Sequence, residues 1–420
     1  MAEPPPAKKQ RLMIIIDELN DDALIKSLSY LDSKNVLSIM LTCKHFLGLL
    51  PRLLCEVAGG EEHVPRDRRQ NETELRLFDF LQARYHRAEA GELKLSGWGF
   101  SMMDRWRQAR FESPMAAPIR VRQVVGAEYI PYEDYNMVVL DERGCVWSMG
   151  KTEQLRRVEG VPGEVVFVTT GGRSSAAVLK NGHVWVWGVN NYGKLGIEDA
   201  SEEVPPTYVS LPEHVSEVAC GDKHVIFVAT RGNVYACGNN ERGQLGLGDL
   251  IDRRRPTLVV MPGGVKQRVL HAALGSGYTL LLAGGTILGC GQPLCGELGG
   301  PMQTTITTFT PVFGTVPECG SLRALDMSTS LVTRSGELWV SGYGLGRSMG
   351  SAGHGHFMEA VRARTPAPVA CFHNSQTRSV AVLRDGSALF YGDIEAITPL
   401  KFVVLQAAVS SSYRAVIIRV

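Results

Sequence analysis

The sequence predicts a mainly β protein, a seven-bladed β-propeller with a small α-helical domain before it, and three observations carry that reading. A strand-then-glycine ending recurs at Gly99, Gly150, Gly188, Gly238, Gly291, Gly342 and Gly392. The period is roughly fifty residues, the mark of solenoids, propellers and arrays. Each copy holds two short apolar runs around a glycine turn, as in His224–Ala229, Arg231-Gly232 and Val234–Cys237, which is a β-hairpin pattern. No copy holds an amphipathic helical stretch between its strands, so the unit is a small all-β sheet and not a βαβ crossover.

Such a sheet cannot bury its apolar faces alone, and setting copies around an axis protects the edges that isolated sheets expose. The last apolar runs, Phe402–Leu405 and Ala415–Ile418, lack a strand-glycine ending of their own. They are expected to complete the blade begun by Leu93–Gly99 and so fasten the ring. The best copy reads Cys220-Gly221-Asp222-Lys223-His224, Gly232-Asn233-Val234-Tyr235 and Gly243-Gln244-Leu245-Gly246-Leu247-Gly248-Asp249, then Asp252 and Pro256-Thr257. This pattern resembles the repeat of the regulator of chromosome condensation family, over roughly residues 93–420. The resemblance implies a seven-bladed propeller.

Composition is that of an ordinary globular chain, with 44% hydrophobic and 21% charged residues. A formal net charge of +1 provides no global drive toward nucleic acid or an anionic membrane. The chain has no apolar run long enough for a membrane-spanning helix, and its N-terminus lacks the pattern of a secretory signal. No membrane association is expected, and the chain is expected to stay inside the cell. Nine cysteines without a C-x-x-C pair read as reduced thiols. His354-Gly355-His356 has no second ligand cluster beside it, so no metal and no cofactor are expected.

At the N-terminus, residues 1–13 form a flexible basic tail whose Pro4–Leu12 stretch resembles a one-part nuclear import signal, and a nuclear or nucleo-cytoplasmic location follows from it. In residues 14–55, Leu24, Ile25, Leu28 and Leu31 share one helical face, and Val36, Leu37, Ile39, Met40, Leu41 and Phe46 mark a second helix. Two short helices leave part of that apolar surface for a partner. Tyr30–Leu37 followed by Leu41–Phe46 is similar to an F-box, with Asn20, Ser27 and Phe46 departing from the commonest residues. The resemblance implies docking on the Skp adaptor of a cullin ubiquitin ligase core through Leu19, Asn20, Leu24, Leu28, Leu31, Leu41, Cys43 and Lys44. Residues 56–92 read as a polar linker and a connecting helix over Glu72–Tyr85, capped by Asn71 with Glu74 reaching back.

The propeller residues carry no complete catalytic signature. Gly188–Lys194 spells G-x-x-x-x-G-K, but Leu195 stands where a phosphate loop needs Ser or Thr. There is no G-x-S-x-G elbow, no H-E-x-x-H and no repeated carboxylate pair. The chain reads as an adaptor and not an enzyme, so function is assigned to its surfaces.

Aligning the copies on their turns places Asn136, Ser174, Tyr278, Ser328, Arg378 and Tyr413 where His224 sits. This ring is either a set of backbone ties or a partner-binding face, with His224, Tyr278, Arg378 and Tyr413 as its candidate contacts. The hairpin tips at the opposite end carry Arg143, Lys180, Arg231, Arg334 and Arg384, a weakly basic face suited to phosphate or an acidic peptide. Arg253-Arg254-Arg255 reads as a solvated loop. The function that follows is a substrate receptor of a Skp-cullin-F-box ubiquitin ligase, with the propeller gripping an unnamed target protein. The second reading, from the propeller family, is nucleotide exchange on the Ran GTPase or chromatin association, and the third is a scaffold outside any ligase.

Overall fold

A computed structural model describes residues 92–97, 107–108, 110–111 and, with interruptions of which the longest are 344–356 and 392–403, residues 119–418. The F-box, the linker and the expected helix over Glu72–Tyr85 lie outside the described residues. Chain contacts divide Met1–His86 from Arg87–Val420, and the second unit is the β body.

Seven antiparallel-based sheets, A to G, are built in that unit. Sheet C shows the plan, running Val215–Cys220, His224–Ala229, Val234–Gly238 and Arg253–Leu258 from the inside outward. The inner strands of the seven sheets are Val121–Tyr129, Val165–Gly171, Val215–Cys220, Val269–Leu274, Cys319–Leu325, Val369–Asn374 and Val404–Val409. Each touches the next, and the last touches the first. In sheet G, Tyr413–Ile418 pairs with Glu92–Gly97 in the register Glu92↔Ile418 to Gly97↔Tyr413. The two ends of the unit are therefore held by one strand pair.

Six sheets are blades of four or more strands, one fewer than the repeat predicts. Sheet F has three among the described residues, Val369–Asn374, Ser379–Leu383 and Ala388–Tyr391. Sheet F stops at three because the next described strand, Val404–Val409, pairs into sheet G, where the last runs were expected to close the first blade. No α-helix occurs among the described residues, which include one short 3-10 turn, Asn191–Gly193.

The apolar core is a set of wedges between neighbouring sheets. Phe227 and Val225 of sheet C pack with Ala176 and Val186 of sheet B, while Ile226 and Val228 pack with Leu281 and Leu288 of sheet D. Both faces of the three inner strands are thereby buried, and only Arg253–Leu258 on the outside faces water. This explains why His224–Ala229 is continuously apolar after its histidine and does not alternate. The leucine of each Gly-x-Leu-Gly loop plugs a wedge, Leu195 between B and C, Leu245 between C and D, and Leu298 between D and E.

Asparagines hold those loops in shape. Leu245 N donates to Asn240 Oδ1 at 2.9 Å and Asn240 Nδ2 to the Asp249 carbonyl at 2.9 Å. Asn190 does the same for Leu195 at 3.0 Å and Asp199 at 2.7 Å. The repeated strand-ending glycine has a separate reason. Gly238 sits at φ +108°, and a Cβ there would lie 2.4 Å from the Lys223 carbonyl oxygen, so only glycine lets the third strand cross the turn before His224.

Candidate functional site

The ring that the repeat alignment identified is real in register: Ser174, His224, Tyr278 and Ser328 each pair with a strand-ending glycine, Gly188, Gly238, Gly291 and Gly342. The side chains of these four are buried in the protein. His224 is fully buried and its Nε2 lies 2.8 Å from Thr279 Oγ1 of the next sheet. Thr279 gives its own proton to the Gln244 carbonyl at 2.6 Å, so His224 Nε2 is the donor and Nδ1 a bare acceptor, which has no partner. Burial, with a smaller contribution from the Lys194 charge, pushes His224 down to about 3.

Tyr278 is also buried and its hydroxyl donates to the Ser328 carbonyl at 2.7 Å. Asn136 Nδ2 reaches Thr170 Oγ1 at 2.9 Å and Ser175 Oγ at 2.8 Å. Three chemically different residues thus perform one task, tying their sheet to the next. Of the two readings of the ring, the burial of His224 and Tyr278 where two sheets close on one another favours the tie over the partner contact. Arg378 lies outside the described residues, and Tyr413 is described only as a strand position opposite Gly97.

A second belt, which sequence reasoning missed, lies on the inner strands. In every sheet the inner strand carries a bulge, after Val121, Val165, Val215, Val269, Cys319, Val369 and Val404. A bulge re-aims the following side chain. Gln123 there exchanges both amide bonds with Val168, at 3.0 and 3.1 Å, and Gln406 Oε1 accepts from Val124 N at 3.2 Å. Glu217 Oε1 accepts from Ala272 N at 3.1 Å and lies 2.6 Å from His271 Nδ1, whose Nε2 meets the Leu322 carbonyl at 2.7 Å. Polar residues two places after the valine that begins the inner strand, Gln123, Glu217, His271 and Gln406, were the available signal.

Lys194, the lysine of the apparent phosphate loop, is buried, and its ammonium donates to the Asp222 carbonyl at 2.7 Å. It faces backbone, not an open anion site. Burial lowers it from 10.5 to about 8, against the attraction of Asp222. Because the folded value is below the unfolded one, the unfolded chain holds the extra proton between pH 8 and 10.5, and stability rises with pH in that window. Relative to Lys194→Met, the natural chain should gain about 2 kcal/mol between pH 7.5 and 9.5 in urea unfolding. A flat difference would show that the ammonium is hydrated.

At the other end the structure places Arg143, Lys180, Arg231, Arg334 and Arg384 on hairpin turns, as expected. Local acceptors dilute the basic character. Lys180 is 3.2 Å from Glu164, Arg120 is 3.7 Å from Glu142, and Arg384 donates to the Arg334 carbonyl. The triple arginine is corrected from loop to strand, since Arg253–Leu258 is the outer strand of sheet C. Arg253 pairs with Asp249 at 2.6 Å, and Arg255 pairs with Glu198.

The exposed large apolar and aromatic residues at the loop end include Tyr192, Leu250, Ile251 and Leu294, Ile251 at 65%. These come from loops after the third strands and were not singled out by sequence, because no repeat marks them. Among the described residues no group of His, Cys, Asp and Glu is placed to hold a metal ion. The described cysteines are unpaired. No helix among the described residues is long and apolar enough to cross a membrane.

Comparison with known proteins matches these features to families. Residues 16–52 match the F-box domain, and residues 181–228 and 231–282 match the Regulator of chromosome condensation (RCC1) repeat. The chain therefore carries an F-box and RCC1 repeats, the latter within a β-propeller. The human protein named Probable E3 ubiquitin-protein ligase HERC3 is 36% identical over 64 residues, 15% of this chain and 6% of that protein. Human E3 ubiquitin-protein ligase HERC2 is 33% identical over 99 residues, 20% of this chain and 2% of that protein. The matched segments span a small fraction of either relative.

Among solved structures, human WBSCR16 superposes with a TM-score of 0.62 at 17% identity, covering 79% of this chain and 99% of its own. Prp20p from Saccharomyces cerevisiae gives 0.62 at 17% identity, covering 78% and 91%. At such identity the likeness is one of fold.

Proposed function

We propose that the chain is the substrate-recognition subunit of a Skp-cullin-F-box ubiquitin ligase, acting as a non-catalytic adaptor. The observation that carries this is the joining, in one chain, of an F-box match at 16–52 to a propeller. The F-box would dock the Skp adaptor through the face that includes Leu24, Leu28, Leu31 and Leu41, and the propeller would hold a target protein. Holding the target near a ubiquitin-loaded enzyme raises the effective concentration of its lysines without any catalytic residue in this chain. The names of the two partial relatives, both E3 ubiquitin-protein ligases, support the same setting. We also infer that sheet F is the seventh blade of the ring, and that the basic tail directs the protein to the nucleus.

Co-purification of the full chain with the Skp adaptor tests the reading. The natural chain is expected to bind, and Leu28→Asp with Leu31→Asp is expected to weaken binding by 100-fold or more, on the order of 3 kcal/mol, because two charges would enter an apolar interface. No binding by the natural chain, or equal binding by the double variant, would overturn it. A nucleotide-release assay with the Ran GTPase separates the exchange-factor reading, for which no release is expected.

A further inference from the structure

Between sheets B and C, at the hairpin-tip end, lies a cavity of about 140 Å³ lined by His183, Tyr208, Leu211, Pro212, Glu213 and His214, with Gly182 at its base. That is room for several waters or for one long side chain. Its walls are aromatic. The His183 and His214 rings stack with centroids 5.9 Å apart and planes 4° apart, and Tyr208 meets His183 edge-on at 5.4 Å. Trp185 backs Tyr208 with centroids 6.3 Å apart.

Two polar side chains of this cavity, Glu213 and His214, present acceptors to it. Glu213 Oε1 accepts from Asn233 Nδ2 and from Tyr235 Oη, both at 2.7 Å, which fixes the carboxylate in place. Its Oε2 is buried and has no partner. No lysine, arginine or histidine among the described residues forms an ion pair with it. His214 Nδ1 meets the Asn181 carbonyl at 2.7 Å and so donates there, which leaves Nε2 an acceptor in the neutral ring. An enclosed carboxylate oxygen left without a donor or counter-charge is costly, and the face of a tyrosine attracts cations.

We propose that this cavity binds the side chain of a lysine or arginine presented by a polypeptide partner, its stem against the aromatic wall and its cation compensated by Glu213. This goes beyond the substrate-receptor reading by naming a contact that a target would make, and it does not require the F-box to engage a ligase.

The test is titration of the full chain, without adaptor, with the capped peptides Ac-Gly-Lys-Gly-NH2, Ac-Gly-Arg-Gly-NH2 and the neutral Ac-Gly-norleucine-Gly-NH2. Binding is read from the His183 and His214 ring signals by nuclear magnetic resonance, assigned with His183→Gln and His214→Gln. Saturable shifts with the two cationic peptides and none with norleucine are expected. Glu213→Gln keeps an oxygen for Asn233 and Tyr235 but removes the charge, and it should weaken cation binding at least tenfold. Equal shifts from norleucine, or undiminished binding by Glu213→Gln in a chain whose unfolding temperature is unchanged, would overturn the proposal.

Discussion

Gly238→Ala is expected to destabilise the propeller by about 3 kcal/mol or more, with a drop of several degrees in unfolding temperature. Two costs combine. A residue with a Cβ at φ +108° is strained wherever it stands, and the added carbon would lie 2.4 Å from the Lys223 carbonyl oxygen and 2.7 Å from His224 Cα. Neither neighbour is the end of a flexible side chain, so the third strand must move away from the second at the point where His224 is tied to Thr279. Gly150 is the control, because it occupies the same repeat position in sheet A and a Cβ there meets nothing within 4 Å. Gly150→Ala should change stability by no more than about 0.5 kcal/mol. Equal effects in urea unfolding would mean that the glycine serves something other than the strand crossing.

Acid should unfold the natural chain earlier than His224→Gln, by an amount that grows as pH falls. His224 is held neutral in the folded protein, at about 3, against 6.5 when exposed. Between those values the unfolded chain binds one more proton than the folded chain, so stability falls as pH falls, by about 1.4 kcal/mol for each pH unit. The contribution is fully present above pH 6.5 and amounts to a loss of about 3 kcal/mol between pH 7 and 4.5. Glutamine has an amide N–H to offer Thr279 Oγ1 and no group that titrates there. The difference between the two chains in urea unfolding, followed from pH 7 to 4.5, isolates this residue from the carboxylates common to both. Parallel curves would show that the imidazole reaches water.

Much of the fold was legible in the residues because its signals are local. A positive φ at a strand end, an asparagine that accepts from a leucine amide five residues on, and a hairpin turn act within a few residues. The hairpin turn and the strand-ending glycine recur from sheet to sheet, so periodicity reported the repeat and the pairing of the first and last strands of the β unit. The six blades of full size found, against seven expected, mark the limit of that reading: a glycine ending announces the third strand, but not whether a fourth joins it in the same sheet.

The candidate site was less legible, for a reason of distance. Whether His224 faces water depends on Thr279, 55 residues away, and whether Glu213 is an idle turn residue or a held carboxylate depends on Tyr235, 22 residues away in the next strands. Position in the repeat specifies where a residue stands along its strand; the neighbouring sheet decides whether its side chain is enclosed. By itself the sequence determined the repeated hairpins, the glycines that permit them, the F-box pattern and the adaptor reading. Only the tertiary structure decided that the histidine ring is an interior seam, that the basic tips are partly neutralised, and that an unpaired carboxylate stands beside an aromatic cavity, because burial and charge compensation are properties of surfaces brought together and not of spacing.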